Sequence, residues 1–191
     1  MADGKRHRTL LIATFIPLCW LWMQVVHELG HVVGAWATGG IVSQVVLHPL
    51  TISRTDLSDN PDPLAVVWSG PLVGVALPLL VAGAARATGQ SWSYLAQFFA
   101  GFCLIANGVY IGIGSFQGVG DAGDMLRTGS PIWSLWLFGL VTVPLGLLLW
   151  NGLGPHFGLG KKAGEVSPWA AYLSCALLGA TVVLELTLSK W

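Results

Sequence analysis

Residues 10–38 read LLIATFIPLCWLWMQVVHELGHVVGAWAT, an apolar run with an ionisable cluster, His27-Glu28-Leu29-Gly30-His31, set inside it. A hydrocarbon core of about 30 Å takes roughly 20 residues of helix. The run is therefore long enough to cross a bilayer, with Pro17 as a kink and Gly39-Gly40 as a stop. Two histidines four apart lie on one helix face, about one turn from each other. That spacing lets both imidazoles bind one zinc ion, and Glu28 beside the first can act as general base toward water activated there. The bland alternative is a pair of helix-packing histidines with Glu28 as their hydrogen-bond partner. It asks three ionisable groups to pack a span, where each is expensive. A chance match to this spacing is expected only about 0.002 times at this composition.

The rest of the chain agrees with a membrane setting. Of 191 residues, 54% are hydrophobic and 9% charged, against roughly 25% charged in soluble domains; the mean hydropathy is +0.69. Net charge is zero, so no nucleic-acid footprint exists. Cys19, Cys103 and Cys175 all lie in apolar segments, which argues against a disulfide framework and against a cysteine metal site. The first apolar run has no small-residue cleavage site and continues into the histidine motif, so it does not read as a cleavable signal.

Four further stretches are long enough to span, at about 63–87, 92–116, 132–153 and 167–188. Trp92, Trp133, Trp150, Trp169 and Trp191 fall near span ends, as an interfacial belt requires. The expected fold is an all-α bundle of about five transmembrane helices. It forms a single domain over 1–191, with a core at 10–126 and additional spans at 132–153 and 167–188. Between the first two spans, residues 41–53 are β-prone and too few to cross, and a stretch rich in aspartate and proline, 56–63, follows. The segment reads as a short hairpin or membrane-edge β segment. Glu185, near the end of the last span, reads as a residue that snorkels to the interface. Glycines 70, 74, 101, 108, 112 and 114 either leave room for a water channel or let helices pack closely.

Basic residues favour one orientation. Lys5, Arg6, Arg8, Arg86, Lys161 and Lys162 would face the cytoplasm, against Arg54, Arg127 and Lys190 outside. That arrangement puts the histidine end of the first span toward the outer side.

Catalytic zinc usually takes three protein ligands and leaves one position open. Asp121 and Asp124 stand out as third ligands, in a glycine-containing turn (118–126) at the end of the third span. Under alternating crossings the first and third spans end on the same membrane face, so these aspartates can meet His27 and His31. His48 is a weaker ligand candidate, better suited to capping or packing in the β segment.

Three landmarks together resemble the site-2 protease family of intramembrane zinc metalloproteases. They are His27-Glu28-Leu29-Gly30-His31 on a span followed by a Gly39-Gly40 turn and a β-like segment, Ser69-Gly70-Pro71-Leu72 in the next span, and the aspartate turn after the third. The resemblance covers about Leu10 to Leu126. It implies one zinc per chain held by His27, His31 and Asp121, with Asp124 as the alternative, and Glu28 as the catalytic residue. It also implies an intramembrane asparagine that helps hold substrate or water, for which Asn107 is the candidate. Asn107 lies fourteen residues before Asp121, farther than usual, and Val73-Gly74 stand where the family has an asparagine after Gly-Pro-Leu. No PDZ or CBS domain fits in the loops, so this would be a minimal form. Better-known relatives keep their zinc nearer the cytoplasmic face, opposite to the charge count, and the side stays open.

The implied activity is hydrolysis of peptide bonds in transmembrane-helix substrates. The implied setting is a multi-pass protein of a prokaryotic cell membrane, with the bilayer and a membrane-embedded protein substrate as partners. Two alternatives belong to other classes: a non-proteolytic protein of the same fold that binds partner helices, and a metal transporter. Binding alone does not need a general base, and a conduction path should carry ionisable residues at several depths. Whether a partner subunit or a second copy joins the chain is open at this level.

Overall fold

The computed structural model describes residues 2–161 and 163–188. Lys162 and Lys190, which enter the charge count, and Trp191, assigned to the belt, lie outside the described residues. Five helices are long and apolar enough to cross a membrane: α1 (Ala2–Ala37), α2 (Pro63–Ala87), α3 (Ser93–Gln117), α5 (Ile132–Trp150) and α6 (Pro168–Leu188). A short helix α4 (Gly120–Arg127) follows α3, and an antiparallel pair, β1 (Ile41–Val46) and β2 (Arg54–Asp59), connects α1 to α2. The chain is an all-α multi-pass membrane bundle with a two-stranded sheet between its first two spans.

Local chemistry sets the ends. α1 stops where the Gly40 N–H turns back to the Ala35 carbonyl and Gly39 takes a left-handed φ of 81°. α2 starts where the Asp62 side chain accepts from the Ala65 N–H and Pro63 occupies the first turn. At 36 residues α1 is about 54 Å long, so its basic N-terminal turns continue the helix beyond a 30 Å hydrocarbon core. Its helical start at Ala2 lies eight residues before the expected Leu10.

Two expectations need correction. The β segment expected at 41–53 holds only β1 and the turn; its partner strand lies at 54–59, partly in the stretch rich in aspartate and proline. The pairing runs from Val46 opposite Arg54 to Ile41 opposite Asp59, with irregularities on either side of Val42. β2 reads Arg-Thr-Asp-Leu-Ser-Asp, and aspartate, which fills two of its six positions, is depleted in strands, so pairing with β1 overrides propensity here. The aspartate turn is likewise helical: Asp121 sits in the first turn of α4, where a carboxylate suits the helix N-terminus.

α1 packs against α2 on one side and α6 on the other, while α3 packs against α2 and α5. Gly108 and Gly112 let α3 approach Gly139 of α5, and the Trp150 indole N–H donates to the Phe98 carbonyl at 2.9 Å. Glycines 70, 74, 101, 108, 112 and 114 face His31, Asn107, Trp150, Thr142, Gly139 and Ala122 respectively. Each is a point of close packing. Glu185 does not snorkel. It is buried one turn beyond Thr181, whose hydroxyl accepts from the Trp22 indole of α1 at 3.1 Å.

The Arg8 guanidinium donates to the Gly158 carbonyl, which places the N-terminal turns and the loop after α5 at one end of the bundle. The hairpin belongs to the opposite end and folds back along α1. Its Ser53 N–H donates to Gln24 Oε1 at 3.0 Å. Gln24 lies about 20 Å along the axis from Ala37, so the hairpin tip descends into the span rather than resting at its edge. Non-helical backbone at such depth needs protein or a polar cavity beside it. The hairpin has α1 on one side and the cavity described next on another.

Candidate metal centre

Three ligand atoms converge at the junction of α1, α2 and α4. His27 Nε2 is 2.7 Å from Asp121 Oδ2, His31 Nε2 is 3.3 Å from the same oxygen, and the two ring nitrogens are 3.1 Å apart. The three side chains form a group that can hold a metal ion. A tetrahedral ion bound at about 2.0–2.1 Å spaces its ligands roughly 3.3 Å apart. The donors therefore need to move outward by only a few tenths of an ångström.

The surroundings fix which ring atoms face inward. Asn107 Nδ2 donates to the Cys103 carbonyl at 2.9 Å, which turns its Oδ1 toward His27 Nδ1 at 2.7 Å. That oxygen can only accept, so His27 Nδ1 carries a proton. His31 Nδ1 likewise donates to the Val66 carbonyl at 2.9 Å. With both Nδ1 protons committed elsewhere, both Nε2 lone pairs and a carboxylate oxygen point at one spot. Such a spot can hold a cation, and outer partners of this kind orient metal-binding histidines generally.

The small residues of the first two spans make the approach possible. A Cβ at Gly70 would overlap the His31 ring, and one at Gly30 would overlap the Ser69 carbonyl. On the other side, Asp121 is aimed by the turn before it. Gly120 takes a φ of 56° under the Tyr110 hydroxyl, which accepts from the Asp121 N–H at 3.1 Å.

Glu28 is 3% exposed, and both of its oxygens are engaged. Oε1 accepts from the Ser53 hydroxyl and Oε2 from the Thr55 hydroxyl, each at 2.7 Å. Glu28, the triad, Ser53 and Thr55 line one cavity of about 890 Å³, large enough for a ligand on the usual scale of roughly 300–1,000 Å³.

The structure thus brings His27, His31 and Asp121 together and sets Glu28 beside the same cavity. Asp124 is exposed and paired with Arg127, outside the ligand group. His48 is buried in the hairpin turn, where its Nδ1 accepts from the Leu50 N–H at 3.2 Å. Asn107, expected to hold substrate or water, lines the same cavity, with its Oδ1 at His27 Nδ1 and its Nδ2 donating to the Cys103 carbonyl.

Tyr110, Ser53, Thr55 and the Val66 carbonyl are absent from the sequence reading. Only Tyr110 leaves a signal there: it lies three residues after Asn107, on the same face of α3. No family model, curated protein or solved structure matches the chain.

Proposed function

We propose that the chain is an intramembrane zinc metalloprotease of the kind its resemblance to the site-2 proteases implies, acting on transmembrane-helix substrates. The observation that carries the reading is the convergence of His27 Nε2, His31 Nε2 and Asp121 Oδ2 beside a cavity that Glu28 also lines. Two nitrogens and one carboxylate oxygen, with room left beside them, suit catalytic zinc better than closed structural sites do.

One zinc, held by those three residues, would lower the pKa of a water to about 7 and polarise a scissile carbonyl. Glu28 takes the proton from the attacking water and passes it to the leaving amine. Asn107 and the Val66 carbonyl keep both Nε2 atoms turned inward. A substrate helix hides its carbonyls in its own hydrogen bonds and must unwind locally before attack. Glycine or proline in the target span lowers that cost.

The test is cleavage of synthetic single-span peptides by purified protein in lipid nanodiscs, read by mass spectrometry. The wild-type chain should cut within the apolar segment, and Glu28→Gln should not, while keeping its metal. Equal cleavage by the two proteins would reject the assignment.

A further inference from the structure

We propose that Ser53 and Thr55 are positioning residues for Glu28, so that the hairpin between the first two spans is part of the catalytic apparatus. The inference rests on the protease reading above and adds to it the element that aims the general base. Three bonds tie the strand entry to one face of α1. The Ser53 N–H donates to Gln24 Oε1, the Ser53 hydroxyl to Glu28 Oε1, and the Thr55 hydroxyl to Glu28 Oε2. Gln24 and Glu28 are four apart on the helix, and Ser53 and Thr55 are two apart on an extended segment, so each pair shares a face.

The result is a two-pronged grip on one carboxylate. Both bonds are 2.7 Å, the length of strong hydroxyl–carboxylate pairs. An ionised carboxylate has about four lone-pair sites, and the two hydroxyls occupy one on each oxygen. A site therefore remains on each oxygen for the proton of an attacking water. A glutamate without this grip would sample several rotamers beside a cavity of about 890 Å³.

Ser53 and Thr55 themselves line that cavity. Anything that enters it meets the same segment that holds the base. Drawing the hairpin away from α1 disarms Glu28, and seating it restores the aim.

The experiment uses full-length protein in detergent with dye-labelled casein, an unfolded chain that needs no unwinding. Ser53→Ala and Thr55→Val should each lower kcat about tenfold and the pair together about a hundredfold, as small misplacements of a catalytic group do. KM and zinc content should stay at wild-type values. Ser53→Thr and Thr55→Ser, which keep the hydroxyls, should restore turnover. Wild-type kcat in the double variant with full zinc overturns the positioning role, and faster turnover also overturns it, since the hairpin would then restrain the base. Failure of the wild-type chain to cleave, or cleavage by Glu28→Gln at the wild-type rate, overturns the protease reading and the positioning role with it. Melting temperatures separate the two failures. Non-additive shifts between Glu28→Gln and the double variant support the grip itself, and additive shifts refute it.

Discussion

The two faces of α1 treat buried ionisable groups in opposite ways. Toward α2, α3 and the hairpin, His27, Glu28 and His31 have partners at both polar atoms of each side chain. Toward α6, Thr14 meets Ser174 and Trp22 meets Thr181, but Glu185 Oε2 is buried with no hydrogen-bond partner among the described residues. A buried polar group without a partner costs roughly 1–3 kcal/mol. The first face therefore partners its ionisable groups fully, and the second, among the described residues, leaves one carboxyl oxygen without a partner. Only the first has the marks of a site.

Substitutions on either face test that contrast. The largest effect should come from Glu28→Gln, which removes the base and should lower kcat by about 10² to 10⁴ while metal stays bound. Next is Asn107→Leu. It strips His27 of its Nδ1 partner and should weaken metal affinity about 10- to 100-fold in a chelator competition. On the other face, Glu185→Leu removes a carboxyl with an orphaned oxygen and should raise stability by about 1–3 kcal/mol, read as a higher melting temperature with metal content unchanged. A loss of stability there would mean that Glu185 has a partner the contrast denies it. Least of all, Asp124→Asn should leave metal binding as it is, because Asp124 faces Arg127 and not the rings.

Much of this was legible in the chain. Spans announce themselves by length and hydropathy, and the histidine pair by its spacing on one of them. Gly70 was legible as a motif, and its purpose became visible only against the His31 ring. The choice between Asp121 and Asp124 was not legible. It depends on the turn through Gly118 and Gly120 and on the Tyr110 hydroxyl, which together set the phase of α4. β2 was hidden because its polar residues follow no strand pattern, and with it went Ser53 and Thr55, whose role depends on a hairpin folded back along α1. The contact of Asn107 with His27 was not legible either: the ring that meets its oxygen lies 80 residues away, and no local pattern records that.

On the proposed reading, two rings and one carboxylate share a single ion. Elemental analysis of the purified protein tests it most directly, beside His27→Ala, His31→Ala and Asp121→Ala prepared in the same way. One zinc per wild-type chain is expected, and less than about a tenth of that in each variant, all three remaining folded. A wild-type chain that carries no zinc after reconstitution, or an Asp121→Ala protein that keeps a full complement, would contradict it.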